Sequence, residues 1–190
     1  MGLAVVTPPT EEPLTLAELK EHLRIETADD NDYITALGIS GREWCEGFCN
    51  RQFVTATYDW SVDKFSSSFL LPKPELQSLP PVKYIDTDGA TQTVSSSVYD
   101  VDIDQEPGRL RLAYSESWPS DRRSTPNSVI IRFVAGYGDA DAVPETIKAA
   151  IKLLVGHLYE HREAVTLGHL SRSLQYGLER LLWPYKMAEV

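Results

Sequence analysis

Apolar residues recur every three or four positions toward both ends of this chain and every second position through its middle. Leu16, Leu19 and Leu23 line one face of "LTLAELKEHLRI", which opens on Thr15 with Glu18 three residues later. In that arrangement each side chain accepts a hydrogen bond from the other's backbone N–H, so a helix start is predicted there. "ADDNDYITALGISGREWCEGFCNRQF" repeats the helical spacing with Ile34, Leu37, Gly41, Trp44, Cys45 and Phe48. Asp29 or Asp30 is its expected cap, with acids in the first turn facing the positive end of the helix dipole. Gly38, Gly41 and Gly47 lower its intrinsic helicity, so packing has to stabilise it, and Gly41 is placed to admit a close neighbour. "VPETIKAAIKLLVGHLYEHREA" is the best helical pattern of all. Pro144 suits the first helical position and Glu145 the first turn. Ile147, Ala150, Ile151, Leu154, Val155 and Leu158 form one broad apolar face.

Near Phe53 the period changes. "FVTATYDWSV" is rich in β-branched and aromatic residues, and a strand through Val82, Tyr84 and Asp86 runs into the Asp88-Gly89 hairpin signal. "SVYDVDID" alternates strictly, with Val98, Asp100, Asp102 and Asp104 on one side and Tyr99, Val101 and Ile103 on the other. "GRLRLAY" and "SVIIRFVAGY" add strands, separated by the Pro- and Ser-rich loops "LPKPELQSLPP" and "ESWPSDRRSTPNS". After a break at Gly168, "SRSLQYGLERLLWPYK" is a short amphipathic segment that Pro184 should stop. The predicted fold class is α+β: a small helical bundle core from 14–52 and 144–165, with an antiparallel β unit inserted at 53–135. An extended arm precedes it at 1–13, and 168–190 forms a terminal segment without an obvious internal partner.

Charge narrows the function. There are 18 basic and 28 acidic residues among 190, a formal net charge of −10. Such a surface repels phosphate, which argues against tight sequence-specific DNA binding and does not exclude a protein past which DNA slides without sticking. No run approaches the roughly 20 apolar residues that cross a bilayer, and the opening "MGLAVVTPPTEEP" lacks the basic start of a secretion signal. The expected compartment is the cytoplasm. Cys45 and Cys49 are the two cysteines, too few for a disulfide framework or for a zinc site by themselves, and are expected as buried free thiols.

One motif suggests catalysis. Residues 157–161 read H-x-x-E-H, the inverted zinc-peptidase signature, with His157 and His161 as ligands and Glu160 as base. Helical spacing puts the two histidines on one face, with His161 near the middle of the apolar stripe and His157 at its edge. A third ligand is wanting: Glu163 is too near on the same helix, Glu179 lies on the terminal segment, and Glu189 is almost the last residue. Other candidates fail on chemistry. The triad Asp100, Asp102 and Asp104 opens like a calcium loop, but Gln105 and Arg111 stand where Gly and Glu are required. Gly136 and Gly138 precede a helix without the lysine of a phosphate loop, and Asp139 and Asp141 would repel the phosphate. Arg122 and Arg123 are too small a basic spot for nucleic acid. No catalytic, cofactor-binding or metal site is expected, and no cofactor. A metal-dependent hydrolase using His157, Glu160 and His161 is the alternative.

The wording of several segments resembles a known family. "PLTLAELKEHLRIETADDNDYITALGISGREWCEGFCNRQFVTATYDW" is similar to the opening of the head–tail connector (adaptor, or head-completion) proteins of tailed phages, prophages and gene-transfer particles. The likeness rests on Leu14 to Arg24, the Asp29-Asp30 pair, Glu46 to Arg51 and Thr57 to Trp60. "LPKPELQSLPPVKYID" resembles the family's proline-bounded lead into its β unit, "VPETIKAAIKLLVGHLYEHREAV" its long helix, and "GLERLLWPYK" its closing segment. His161 stands where that wording has a polar residue such as Asn, and Cys49 where a small residue or Thr is usual. The resemblance implies a structural protein, not an enzyme, located at the virion neck and in the host cytoplasm before assembly. It implies a ring of identical copies, twelve when assembled, under the portal protein. A stopper or tail-completion protein would dock on the distal face, and DNA would pass non-specifically through the lumen, with no membrane involved. It also makes Leu174, Leu178, Leu181, Leu182, Trp183 and Tyr185 the portal-docking candidates. Another neck protein, such as a stopper or tail-completion factor, is the further alternative.

Overall fold

Two local rules, alternation and the three-to-four repeat, place most of the elements seen in the computed structural model, which describes residues 2–161 and 172–187. Among these residues there are four α-helices and two antiparallel sheets, an α+β fold. The chain divides into two compact units. Of the described residues, one comprises 2–9 and Thr55–Tyr137; the other comprises Thr10–Val54 and those from Gly138 to Met187.

The first unit is all β. Its larger sheet runs β1 (Gly2–Thr7), β2 (Ala56–Val62), β9 (Val129–Ala135), β5 (Lys83–Ile85), β6 (Thr91–Thr93), and β4 (Leu76–Ser78) also pairs with β9. The smaller sheet has the order β3 (Ser68–Leu70), β8 (Arg109–Leu112), β7 (Tyr99–Asp102). β2 and β9 form the long central pair, and their alternate residues Ala56, Tyr58, Val62, Val129, Ile131, Phe133 and Ala135 are buried. Phe69 and Leu110 of the smaller sheet belong to the same apolar cluster. The Asp88-Gly89 signal is a real hairpin: Gly89 has φ 89°, and Asp86 Oδ1 accepts the Asp88 and Ala90 N–H groups.

Three strands were not evident from periodicity. The N-terminal arm up to Thr7 is a strand rather than free chain, because its backbone completes hydrogen bonds to the outer side of β2. β3 and β4 are three residues each, too short to show alternation; β4 lies inside the expected loop "LPKPELQSLPP", where Leu76 pairs with Ala135.

On the outer face, Arg132 grips Asp59 through two bonds of 2.7 and 2.8 Å. That guanidinium holds the Asp59 carboxyl below its ordinary value. A folded-state value below the unfolded one stabilises above the unfolded value, and the gain is lost as pH falls through the folded one. Asp59→Asn should therefore cost under about 1 kcal/mol at neutral pH, as a half-exposed pair does. The difference from wild type should shrink as pH falls through the folded-state value and vanish below it, where both states are protonated. Urea midpoints of the two proteins at each pH are the check.

The second unit is helical. α1 (Leu16–Leu23) begins with the predicted reciprocal cap: Glu18 N donates to Thr15 Oγ1 at 3.2 Å, and Thr15 N donates to Glu18 Oε2 at 2.8 Å. α2 (Asn31–Cys49) starts after Asp30, whose carboxylate takes no capping bond and instead accepts from the Tyr159 hydroxyl of α3. α3 (Glu145–Glu160) follows Pro144, which sits at the cap, one position earlier than expected. Both buried glycines of α2 are sites of close approach. A Cβ at Gly41 would lie 3.3 Å from Val155 Cγ2, and one at Gly38 would lie 2.8 Å from Leu19 Cδ1. Gly41 thus lets α3 seat its apolar stripe directly on the α2 backbone. α4 (Arg172–Leu182) and the turn Trp183–Tyr185 complete the described part of this unit.

Candidate docking surface at the C-terminal helix

The H-x-x-E-H residues do not assemble a metal centre among the described residues. α3 ends at Glu160, and His161 is its C-cap with φ −119° and ψ 75°. Helical projection no longer applies at such a residue, so His161 leaves the apolar stripe and lies exposed, while His157 is half-buried. The two rings stack at 4.5 Å, and His161 Nδ1 lies 3.0 Å from the His157 carbonyl oxygen, which places the Nδ1 proton there. Burial, and then the neighbouring His161, holds His157 below the ordinary histidine value. Of the third-ligand candidates, Glu163 and Glu189 lie outside the described residues, and Glu179 accepts a bond from Gln175 at 2.9 Å. No group of three or more His, Cys, Asp or Glu side chains is placed to hold a metal among the described residues.

The other candidates serve the fold. Asp100 and Asp102 each face an arginine across the smaller sheet, Arg111 and Arg109, at 3.5 Å. Arg122 Nη1 donates to the Asp63 carbonyl and to Ser128 Oγ, tying a loop down. Asp139 accepts from Ala142 N in the connection after Gly138. Cys45 and Cys49 are buried free thiols, with Cys45 pushed up to about 12 by burial, then by Cys49 and Glu46. A thiol so unwilling to ionise is not a nucleophile.

The C-terminal segment holds the distinctive surface. Leu178 and Leu182, one turn apart on α4, are fully buried, and α4 packs on α3 and α2. The expectation that this segment lacks an internal partner is therefore corrected. Its apolar stripe covers its own subunit's core, which removes Leu178 and Leu182 from the residues free to meet another protein. Leu174 and Leu181 are half-buried. One backbone bond and one side-chain bond fasten the end of the segment: Met187 N donates to the Cys49 carbonyl at 2.9 Å, and Arg51 Nε donates to the Tyr185 carbonyl at 3.1 Å. The residues of the segment beyond Met187, and those between His161 and Arg172, lie outside the described part.

What this anchoring presents is aromatic. Trp183 is 68% exposed and Tyr185 half-buried. Lys186 Nζ lies 5.7 Å from the Trp183 ring centre and 4.6 Å from that of Phe48, which stacks on Trp44 at 5.6 Å. A cation over aromatic faces is favourable, and more so once a partner excludes water. Trp44, Phe48 and Lys186 were not read from sequence as surface residues, because an i, i+4 aromatic pair on an amphipathic helix looks like core. A tryptophan in the sequence's Gly-Arg-Glu-Trp context, flanked by charge, was the available signal.

On an acidic chain, the C-terminal turn sets out an exposed Trp183 with a single cation, Lys186, beside it and Phe48. The chain belongs to the head completion protein family, whose sequence model matches residues 12–171. Its role is accordingly structural. Solved structures share its fold at low identity. A chain of the neck of an empty gene transfer agent particle, computed with C6 symmetry, is 21% identical with a TM-score of 0.83, covering 100% of this chain and 97% of that one. A chain in the virion of a native gene transfer agent particle is 20% identical with a TM-score of 0.79, and one in the neck of a native particle, computed with C12 symmetry, is 20% identical with a TM-score of 0.77. Each of these two matches also covers 100% of this chain and 97% of the other. No curated protein matches the sequence.

Proposed function

We propose that this protein is the head–tail connector of a tailed phage or related particle and performs no catalysis. It forms a ring of identical copies, twelve when assembled, at the virion neck, beneath the portal protein. DNA passes through the ring, and a stopper or tail-completion protein docks on its distal face. The observation that carries the reading is the head completion family match over residues 12–171. The net charge of −10 supports it, since a wall that attracted phosphate would hold the DNA it must release. Within the C-terminal segment, the portal-docking role falls to exposed Trp183 with Tyr185, joined by Lys186, Phe48 and Trp44. Aromatic residues of this kind supply much of the binding energy where proteins meet.

Trp183→Ala is the test. Its side chain is largely in water, so stability should change by no more than about 0.5 kcal/mol. Binding to the cognate portal, read by co-sedimentation and by electron microscopy of the mixture, should fall at least about tenfold, as loss of a central aromatic contact does. Normal portal binding by the folded variant would remove the docking role from this surface.

A further inference from the structure

The larger sheet of the β unit ends in two unusual edges. β1 closes one side and β6 the other, and neither has a strand beyond it among the described residues. Every residue of Gly2–Thr7 and of Thr91–Thr93 is exposed. Free strand edges are normally guarded by charge or proline, because their unpaired N–H and C=O groups template further pairing. Neither β1 nor β6 carries a charge or a proline, and the guards present are a register shift between Val5 and Thr7 and the shortness of β6. The two longest runs without a charged residue in the whole chain are 89–99 and 1–10, so they contain β6 and β1. Pro8 and Pro9 come only after β1 has ended. Copies carrying a net charge of −10 repel one another, and the neutral edges are where they can approach most closely.

The side chains of β1 agree. Leu3 stands opposite Trp60, which stands opposite Ile131; Val5 stands opposite Tyr58, which stands opposite Phe133. Directly opposed residues share a face, so the apolar inner face of the sheet continues onto β1. There it is uncovered, with Leu3 41% and Val5 57% exposed. A strand added beside β1 would lengthen that face and set its own side chains laterally against Leu3 and Val5.

We infer that copies of this chain join edge to edge, the free side of β1 in one copy pairing with the free side of β6 in the next. The inference rests on the ring reading proposed above and supplies the surface through which the copies meet. Four antiparallel steps separate β1 from β6, so the two edges run in the same direction. A sheet extended sideways from copy to copy then meets in parallel, and the contact is heterologous, the kind that closes rings. β6 is only three residues long, so each junction is weak and many must form together.

Disulfide trapping tests it in the full chain. Ala4 and Thr93 both lie on the outer face of the sheet, in the rows of Asp59 and of Lys83. The native Cys45 and Cys49 are buried and will not compete. The double variant Ala4→Cys/Thr93→Cys, oxidised alone and after mixing with the cognate portal, should give a ladder of covalent oligomers beyond the dimer, while either single variant stays monomeric. Dimers from Ala4→Cys alone would show β1 pairing with itself and overturn the proposal. Rings visible by electron microscopy with no ladder would overturn the edge pairing and leave the ring reading intact. Absence of rings with portal present would overturn both. As a second measurement, Val5→Lys should weaken ring formation at least tenfold while Val5→Thr, uncharged and strand-forming, keeps it; equal assembly by both variants would also count against the proposal.

Discussion

Leu182→Ala is expected to lower the unfolding free energy by about 2–5 kcal/mol, the cost of leaving a cavity where a large apolar side chain was enclosed. Leu182 is 0% exposed, and so is Leu178 one turn before it. The surroundings cannot readily collapse, because the chain just after it is tied to the end of α2 and to the residues that follow: Met187 N donates to the Cys49 carbonyl and Arg51 Nε to the Tyr185 carbonyl. Urea unfolding followed by circular dichroism measures the loss. The same reasoning reverses the outcome expected of a deletion. Read from sequence, a chain lacking 168–190 should remain folded and merely lose its docking partner. With Leu178 and Leu182 buried, that truncation uncovers the helical unit's core and should yield an unfolded or aggregating product. Trp183→Ala is the better instrument for function, since it removes the surface and leaves the anchor.

The second large effect is expected at Glu46. Its carboxylate is enclosed at the C-terminal end of α2, with Oε2 accepting from Arg42 Nη1 at 2.7 Å. Oε1 accepts from Gln52 Nε2 at 2.8 Å and from Phe53 N at 3.0 Å, so one side chain ties the helix to the chain that leaves it. The side chains of Glu46 and Arg42 are 9% and 10% exposed. Removing the carboxylate takes the acceptor from the buried Phe53 N–H and from Arg42 Nη1, while Arg42 keeps the more exposed Glu12 and Glu43, and Glu46→Ala should cost about 3 kcal/mol. Glu12, which also accepts from Arg42 at 2.7 Å, has a side chain 32% exposed and can be replaced by water. Glu12→Ala should accordingly cost only about 1 kcal/mol. Equal losses for the two variants, by the same urea measurement, would show that burial is not what gives Glu46 its weight.

These two residues show where sequence reading stopped. The Thr15–Glu18 cap, the Asp88-Gly89 hairpin, the alternation of β2 and β9 and the apolar face of α3 were all legible, because each is set by groups a few residues apart. Gly41 was legible as a close approach, though not that α3 would be the helix approaching. Glu46 gave no signal: a glutamate on a helix is ordinarily in water, and its partners Arg42, Gln52 and Phe53 N converge only when the chain turns at Asn50, which adopts φ 50°. His161 misled in the opposite sense, since a helical projection assumes the helix continues, and α3 ends one residue before it.

Alone, then, the sequence determined the α+β class, the order of helices and long strands, the acidic charge and the family wording. All of these follow from residue type and short-range spacing. Tertiary structure decided who covers what. Periodicity says that a face must be covered, without saying whether its own subunit or another protein covers it. The α4 stripe turned inward because two leucines find a helical core within reach, and the aromatic cluster at Trp183 was left outside. The N-terminal segment became a strand because β2 offered it a row of unpaired backbone groups, and its own far side was left open. Long-range pairing of this kind depends on which surfaces meet, and no local pattern records that.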